Sequence, residues 1–376
     1  AEAGRDLGDV ARVASIDLKS DEAAIHALAA RAGVAPEFYR AETLEAARDR
    51  LANPSDVVFA EVGCHGVAEG AALTAAGEAA SLLVEKRKSA NATCAVAEIA
   101  GPAVRGRPRG RLAVVGIGPG AADWRTPEAS RLIAEAEELV GYGLYIDLLG
   151  PLAAGKPRKD FPLGGEEARC RYALEAAGEG RNVALICSGD AGIYAMGALV
   201  MELTAREEAA GGVSAAAKRV EVANAPGVSA LQAASARAGA LLGHDFCAIS
   251  LSDLLTPRED ILKRLKAAAE GDFVIAFYNP VSKRRRTLLA EAREILLAHR
   301  PAETPVLLAA SLGRPEERLT RRTLGTLEVD EVDMLTVVLI GSTHSRAFQT
   351  GDGAAGAEGW RMFTPRGYAK KMAHAK

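Results

Sequence analysis

The sequence is short of several features, and each absence closes off a class of function. Its five cysteines (Cys64, Cys94, Cys170, Cys187 and Cys247) show no CxxC spacing. That excludes ribbon-type zinc modules and gives no disulfide framework, so a reducing compartment is expected. Cys64-His65 is an adjacent pair without matching partners, and no metal site is assigned to it. Aromatic residues make up only 5% of the chain. No apolar run is long enough to cross a bilayer, and the start has neither the basic nor the apolar region of a signal peptide. The expectation is a soluble, cytoplasmic protein with no membrane partner. The chain opens at Ala1 rather than Met, which leaves room for residues upstream. One sign of charge does not dominate either. Residues 1–104 carry a net −6 and the remainder a net +3, too little positive charge to predict a nucleic-acid partner.

What is present is an apolar, alanine- and glycine-rich chain of 376 residues, 49% hydrophobic, long enough for two or three α/β domains. The segment Gly101 to Gly110 has no hydrophobic period, is rich in Gly, Pro and Arg, and reads as a linker. Before it, a small α/β pattern is expected over 1–100. Val13–Ile16 reads as a strand, Asp21–Ala32 as a helix, Asp56–Ala60 as a short strand and Val67–Ala76 as a helix. Ser81–Val84 then leads into the basic run Glu85–Ser89. After the linker, strands and helices alternate, which favours a parallel or mixed sheet covered by helices. Thr126-Pro127-Glu128 supplies a cap, a proline at the first helical position and an early acid, opening a helix to about Glu138. Thr256-Pro257-Arg258-Glu259 repeats the arrangement ahead of Ile261–Ala269. Phe273–Pro280, Pro305–Ala310 and Met334–Gly341 are continuous apolar runs suited to strands buried on both faces. A break near 224–230 divides this region into lobes 111–223 and 224–350, followed by a basic, aromatic tail, 351–376.

Two glycine turns stand out, Gly116-Ile-Gly-Pro-Gly120 and Ser188-Gly-Asp-Ala-Gly-Ile-Tyr194. Each follows an apolar strand and precedes a helical pattern, as at ligand sites on the carboxyl edge of a parallel sheet. Either alone also suits an ordinary strand-to-helix connection. Neither fits a phosphate site: the first lacks the Lys-Ser/Thr of a P-loop, Ala121 breaks the dinucleotide spacing, and Pro119 removes an amide donor. An unrelated nucleotide-binding protein is therefore disfavoured. Asp190 suits either ligand hydroxyls or amines, or a helix cap. The small-residue stretch Asn224–Ser235 suits close packing against a flat ligand or another element. His244-Asp245 and Ser250–Pro257 place polar groups at the end of a short strand. Lys283–Arg286 and Arg321-Arg322 read as solvated faces or as carboxylate clamps.

Taken in order, the two turns, Ala225-Pro-Gly-Val-Ser-Ala230, Leu242–Pro257 and Phe277-Tyr-Asn-Pro280 resemble the tetrapyrrole methylases, the class III S-adenosylmethionine-dependent methyltransferases. The His244–Pro257 stretch, Tyr278-Asn-Pro280 and Thr364-Pro-Arg-Gly-Tyr368 are most similar to the branch that methylates precorrin-3B at C(17) and contracts the ring to precorrin-4 in cobalamin biosynthesis. The likeness covers about 111–348 and the tail. Ala14–Glu22 and Leu82–Ser89 are similar to the carboxyl-terminal domain of the cobalt-precorrin-5A hydrolase family. The opening strand and Gly-x-Gly-Cys-Arg turn usual there are missing, and Glu85 stands where proline is usual, so no catalysis is assigned to the module.

The resemblance implies a two-lobed α/β fold with S-adenosyl-L-methionine held in the inter-lobe cleft and S-adenosyl-L-homocysteine as product. By motif, the donor contacts fall on Pro119, Ser188, Gly189, Asp190, Ile193, Ser229, Ala230, Asn279, Gly325 and Thr336. It also implies a homodimer, a polycarboxylate tetrapyrrole substrate and hand-over to other enzymes of the pathway. Ring contraction favours a general base, for which Asp253 and His244 are the candidates; a helix cap and a packed loop histidine are their bland alternatives. Some of Arg284, Arg285, Arg286, Arg321 and Arg322 are expected at the substrate rim. Two alternatives stay open: the cobalt-factor III reaction of the anaerobic route, and a carrier role for the amino-terminal module.

Overall fold

The computed structural model describes residues 4–282, 285–350 and 359–368. The chain divides into two compact units. The first comprises Ala1–Val114, Arg131–Ile186 and Met196–Ala225, the second Val115–Ser130, Cys187–Ala195 and Pro226–Lys376. No helix among the described residues is long and apolar enough to cross a membrane.

The first unit begins with parallel strands β1 (Val13–Ile16) and β2 (Pro36–Tyr39), joined through helix α1 (Ala23–Ala32). Helices α2 (Ala41–Glu45), α3 (Asp56–Val62) and α4 (Val67–Ala76) and the hairpin β3 (Leu82–Lys88) and β4 (Thr93–Ala97) complete this part. Its core gathers Ile16, Tyr39, Leu44, Cys64, Ala71 and Ala75. The expected strand at Asp56–Ala60 is instead helix α3. The Ser55 hydroxyl caps it by accepting from the Val58 N–H, and Gly63 stops it at φ +76°. These end signals override the strand preference of Val57, Val58 and Phe59. The basic run after Val84 continues β3 to Lys88 on an edge where charged side chains face water.

The segment 101–110 is stitched down on both sides. Phe38 and Arg107 exchange backbone hydrogen bonds of 2.7 and 2.8 Å, so the segment pairs with β2 as an extra edge. Farther on, the Arg111 N–H donates to the Arg181 carbonyl and the Glu221 N–H to the Gly110 carbonyl. A Cβ on Gly110 would stand 1.7 Å from the Ala177 carbonyl oxygen, so only glycine fits. Glycine and proline remove the hydrophobic period that signals structure while permitting this close approach.

Strands β5 (Arg111–Gly116), β6 (Glu138–Tyr142), β7 (Arg158–Phe161), β8 (Asn182–Cys187) and β9 (Glu221–Ala225) form one sheet in the order β7-β6-β8-β5-β9. Helices α5 (Pro127–Glu135), α6 (Gly143–Asp147), α7 (Glu166–Gly178) and α8 (Met196–Ala205) alternate with them. Thr126 caps α5 as expected, its hydroxyl accepting from the Ala129 N–H at 3.1 Å. The helix ends before Glu138, which opens β6 and whose carboxylate receives Tyr172 and Arg181.

The second unit carries α9 (Ala230–Ala238), β10 (Gly239–Ala240), β11 (Phe246–Ser250), α10 (Arg258–Glu270), β12 (Val274–Tyr278) and α11 (Thr287–Leu297). It continues with β13 (Pro305–Ala310), β14 (Arg318–Thr323), β15 (Thr336–Ile340), β16 (Arg346–Gln349) and β17 (Trp360–Phe363). The main sheet, β11-β12-β15-β13-β14, is mixed. Ile275, Phe277, Val306, Leu308, Val338 and Ile340 face α10 and α11. Their alternates Val274, Ala276, Leu307, Ala309, Val337 and Leu339 pack with α9 and Met362. Both faces are covered, so the strands read as unbroken apolar runs. Thr256 does not repeat the cap of Thr126: α10 starts behind Pro257 with no side-chain cap. The described part of the tail pairs as β17 with β10 and β16; 351–358 and 369–376 lie outside the described residues.

Burial alone would push the Glu37 carboxyl up, but the Arg12 guanidinium, the Gly106 N–H and the Tyr39 hydroxyl outweigh it and lower it from 4.5 to about 2. A carboxylate depressed in the folded state adds stability above its ordinary pKa and loses it as pH falls through the folded value. Acid unfolding of the protein is therefore expected to show a limb between about pH 4.5 and 2 that Glu37→Gln flattens, measured by denaturant titration across that range.

Candidate functional site

Both glycine turns fall in the second unit, where they clasp each other. The Gly118 N–H donates to the Gly189 carbonyl at 3.1 Å, and the Gly189 N–H returns the bond to the Gly118 carbonyl at 2.8 Å. Gly118 is at φ +78° and Gly189 at φ +71°, a region that side chains resist. A Cβ on Gly116 would meet the Gly189 carbonyl oxygen at 2.7 Å and the Gly227 nitrogen at 3.0 Å.

Asp190 is the tie between these turns and the start of α9. One carboxylate oxygen accepts the Gly192 N–H at 2.8 Å and the other the Gly227 N–H at 2.9 Å. It does not cap α8, which begins only at Met196. Two residues beyond Gly227, the Ser229 hydroxyl meets the Tyr278 hydroxyl at 2.5 Å, and that phenol oxygen also accepts the Leu231 N–H at 3.0 Å. Burial raises the Tyr278 pKa, against the lowering effect of these two bonds, so the phenol stays neutral. Next to it, the Asn279 amide donates to the Ser250 hydroxyl at 3.1 Å. Tyr194 tilts its ring over Tyr278 at 5.1 Å and donates its hydroxyl to the Ala248 carbonyl at 2.9 Å. The Arg314 guanidinium reaches the Pro119 carbonyl at 3.1 Å.

Backbone strain marks the same edge. Four non-glycine residues among those described have positive φ, and Tyr194, Asn279 and Ser311 are three of them. Each follows a strand or glycine turn that ends here, the pattern of strain stored at ligand sites.

The structure therefore brings together Pro119, Ser188, Gly189, Asp190, Ile193, Ser229, Ala230 and Asn279. Thr336 joins them, paired with Ala310 at the same edge, but its hydroxyl is spent on the Asp333 carboxylate at 2.7 Å and its N–H on the Asp333 carbonyl at 3.3 Å. Gly325 does not belong. β14 runs antiparallel with Thr323 opposite Pro305, which puts Gly325 at the far end of the sheet, its carbonyl held by Arg293. His244 is also misplaced: it precedes β11 whereas Asp253 follows it, so about 16 Å of strand separates them. Its Nδ1 accepts the Asp245 N–H. Asp253 lies at the correct edge, 3.6 Å from the Arg285 guanidinium, which also donates to the Leu251 carbonyl.

The other rim arginines are engaged within the fold. Arg286 pairs with Asp330, Arg322 with Glu331, and Arg321 lies over the Trp360 ring at 3.9 Å. Arg284 lies outside the described residues. His65 is held by the Glu45 and Asp56 carboxylates and stacked on Phe59; no metal-binding cluster occurs among the described residues. Sequence reasoning missed Tyr278, Tyr194, Ser250 and Arg314. Tyr278 sat inside a quoted motif, but its bond to Ser229 spans a separation that no local pattern reveals.

The chemistry of this edge is selective. The amides of Gly118, Gly189, Gly192 and Gly227 are already used, and Pro119 has none, which removes five donors that a phosphate cradle would draw on. Acceptors remain in the spare lone pairs of Asp190, beside the Ser188 hydroxyl. Such a site suits a ligand rich in hydroxyls or amines, or one bearing positive charge.

Residues 111–328 match the tetrapyrrole (corrin/porphyrin) methylase family. The chain belongs to the tetrapyrrole methylases. It is accordingly an enzyme, a methyltransferase, and residues 1–97 match a second family, the cobalamin synthesis G carboxyl terminus. The chain is 43% identical over 260 residues to a precorrin-3B C(17)-methyltransferase of Sinorhizobium sp, covering 69% of this chain and 98% of the relative. A probable cobalt-factor III C(17)-methyltransferase of Salmonella typhimurium is also 43% identical, over 68% of this chain and 99% of its own. Among solved structures, the methyltransferase CobJ superposes with a TM-score of 0.59 at 39% identity, covering 68% of this chain and all of that one.

If Asp190 ties the methylase turns to α9, Asp190→Ala should lower stability by about 2 kcal/mol, since two amides lose a charged acceptor. Asp190→Asn, keeping one carbonyl oxygen, should lose about half as much; chemical denaturation of the three proteins compares them.

Proposed function

We propose that the protein transfers a methyl group from S-adenosylmethionine to C(17) of precorrin-3B and contracts the macrocycle, as a step of cobalamin biosynthesis. The observation that carries this is identity of 43% spread over 98% of the Sinorhizobium relative, together with a donor edge that suits a cationic, phosphate-free ligand. Equal identity to the Salmonella relative favours a second reading, the cobalt-containing substrate.

The donor supplies an electrophilic methyl on a sulfonium; the chain's task is to hold it and aim the ring carbon at it. Asp190 is the acceptor for the donor's hydroxyls or amine, and Ser188 adds a hydroxyl. Pro119, Gly189, Ile193, Ser229, Ala230 and Asn279 supply the walls, with the Thr336 backbone beside them. Alignment of the two reactants accounts for most of the acceleration, because in-line displacement needs little covalent help. As the methyl moves to carbon, the bonding pair stays on sulfur, giving S-adenosylhomocysteine. Contraction then requires a ring hydroxyl to give up its proton while one macrocycle carbon leaves as an acetyl branch. Asp253 is the carboxylate assigned to take that proton, its orientation held by Arg285. The reading also includes a homodimer and product hand-over to other pathway enzymes.

The deciding experiment is turnover with S-adenosylmethionine and either precorrin-3B or cobalt-factor III, followed by mass and absorbance. A methylated, contracted product from precorrin-3B is expected; product from cobalt-factor III alone selects the second reading, and none from either refutes both. In the same assay Asp253→Asn should slow contraction about 10²- to 10⁴-fold while methylation persists. Equal loss of both steps would remove Asp253 as the base.

A further inference from the structure

A cleft of about 370 Å³ opens within the first unit. Its floor is the carboxyl end of the parallel pair β1–β2, where Ile16 stands opposite Tyr39 and the chain leaves through Asp17 and Arg40. Crevices beyond the carboxyl ends of parallel strands are where α/β proteins place ligands. The other walls are the strut 104–110, the end of α7 and the turn before β9.

The walls are built firmly. Besides the Phe38–Arg107 pairing, a Cβ on Gly106 would lie 2.8 Å from the Glu37 side chain, and one on Gly180 would lie 3.0 Å from that of Arg107. Charges along them sort into engaged and free. Glu175 accepts both the N–H and the hydroxyl of Ser214, and Glu179 pairs with Arg181. Arg105 pairs with Glu37, and Arg109 donates to the carbonyls of Arg219 and Val220. Arg40 and Arg107 line the cleft, are exposed, and donate no side-chain hydrogen bond among the described residues. Asp17 lines the same cleft, its carboxyl raised by burial with Arg40 opposing.

We propose that this cleft is a second binding site, in which Arg40 and Arg107 grip carboxylates, and that its ligand is the carboxylate-bearing edge of a tetrapyrrole. Two exposed guanidinium groups with no hydrogen-bonded partner among the described residues suit carboxylate arms, which arginine binds in bidentate fashion. The volume lies at the small end of ligand sites, enough for side arms but not for a macrocycle. The carboxylate chemistry follows from the cleft; naming a tetrapyrrole rests on the function proposed above. The site makes the amino-terminal module a holder of substrate or product beside the methylase, and it exists because strut and module are packed as one body.

The test is calorimetric titration of the full chain, saturated with S-adenosylhomocysteine, with uroporphyrin III and separately with tricarballylate. Wild-type protein should bind two equivalents of uroporphyrin III, and Arg40→Ala/Arg107→Ala one, with at least a tenfold loss of affinity for the second. Thr43→Trp, which fills the cleft while keeping both guanidinium groups, should give the same loss. Tricarballylate binding that disappears in both variants assigns the site to small free carboxylates, which keeps the anion site and overturns the tetrapyrrole. Isotherms identical in wild type and both variants overturn the site itself. Turnover at saturating substrate should not change in either variant. A parent that turns over neither substrate yet shows the binding difference would sink the proposed reaction and leave the cleft standing.

Discussion

The reciprocal hydrogen bonds between Gly118 and Gly189 are the constraint on which the donor edge depends. They fix two turns that are far apart in sequence at backbone contact distance, which only glycine allows at Gly116 and Gly227. They also use up the amides that a phosphate would need. What the site can bind is thus set by which donors are already spent. Asp190 then spends two more amides while keeping lone pairs outward, and the edge becomes an acceptor surface.

Much of this was legible in the sequence because the signals are local. The apolar runs at Val274–Tyr278, Pro305–Ala310 and Thr336–Ile340 are strands buried on both faces, and Thr126-Pro127 starts α5 as its chemistry dictates. The glycine turns marked this edge, and the residues proposed as donor contacts share it, Gly325 excepted. The failures have a common cause. Gly325 and His244 were placed by proximity to a motif, but strand direction decides which end of a sheet a residue occupies. The strand expected at Asp56–Ala60 failed because β-branched composition was weighed above a serine cap and a glycine stop. Tyr278 went unassigned because its partner Ser229 is remote in sequence.

The segment 101–110 shows how absence of pattern misleads. Gly, Pro and Arg without periodicity describe a flexible tether, and the same composition describes a strut that must pass within van der Waals contact of its neighbours. Backbone pairing to Phe38 and to the Arg181 and Glu221 positions decides for the strut. A tether would leave the amino-terminal module free to sample orientations; a strut makes a cleft with fixed walls. The Arg12–Glu37 pair, with Gly106 and Tyr39 on the same carboxylate, anchors the strut at the module end.

The two ends of the main sheet in the second unit are held by the same kind of contact. At the far end Arg300 is almost fully buried, and its guanidinium donates to the carbonyls of Ala268, Phe273 and Gly341, closing off strand ends that would otherwise expose acceptors. Desolvation of that charge is offset by these three carbonyls and by the Asp272 carboxylate 3.7 Å away. At the opposite edge Arg314 and Arg285, both less buried, reach the loop carbonyls of Pro119 and Leu251. Tyr194, Asn279 and Ser311 sit in left-handed backbone, and loops end there with acceptors unspent. The fourth residue in left-handed backbone, Asp272, lies at the Arg300 end, so both ends of the sheet carry strain and an arginine that spends itself on carbonyls.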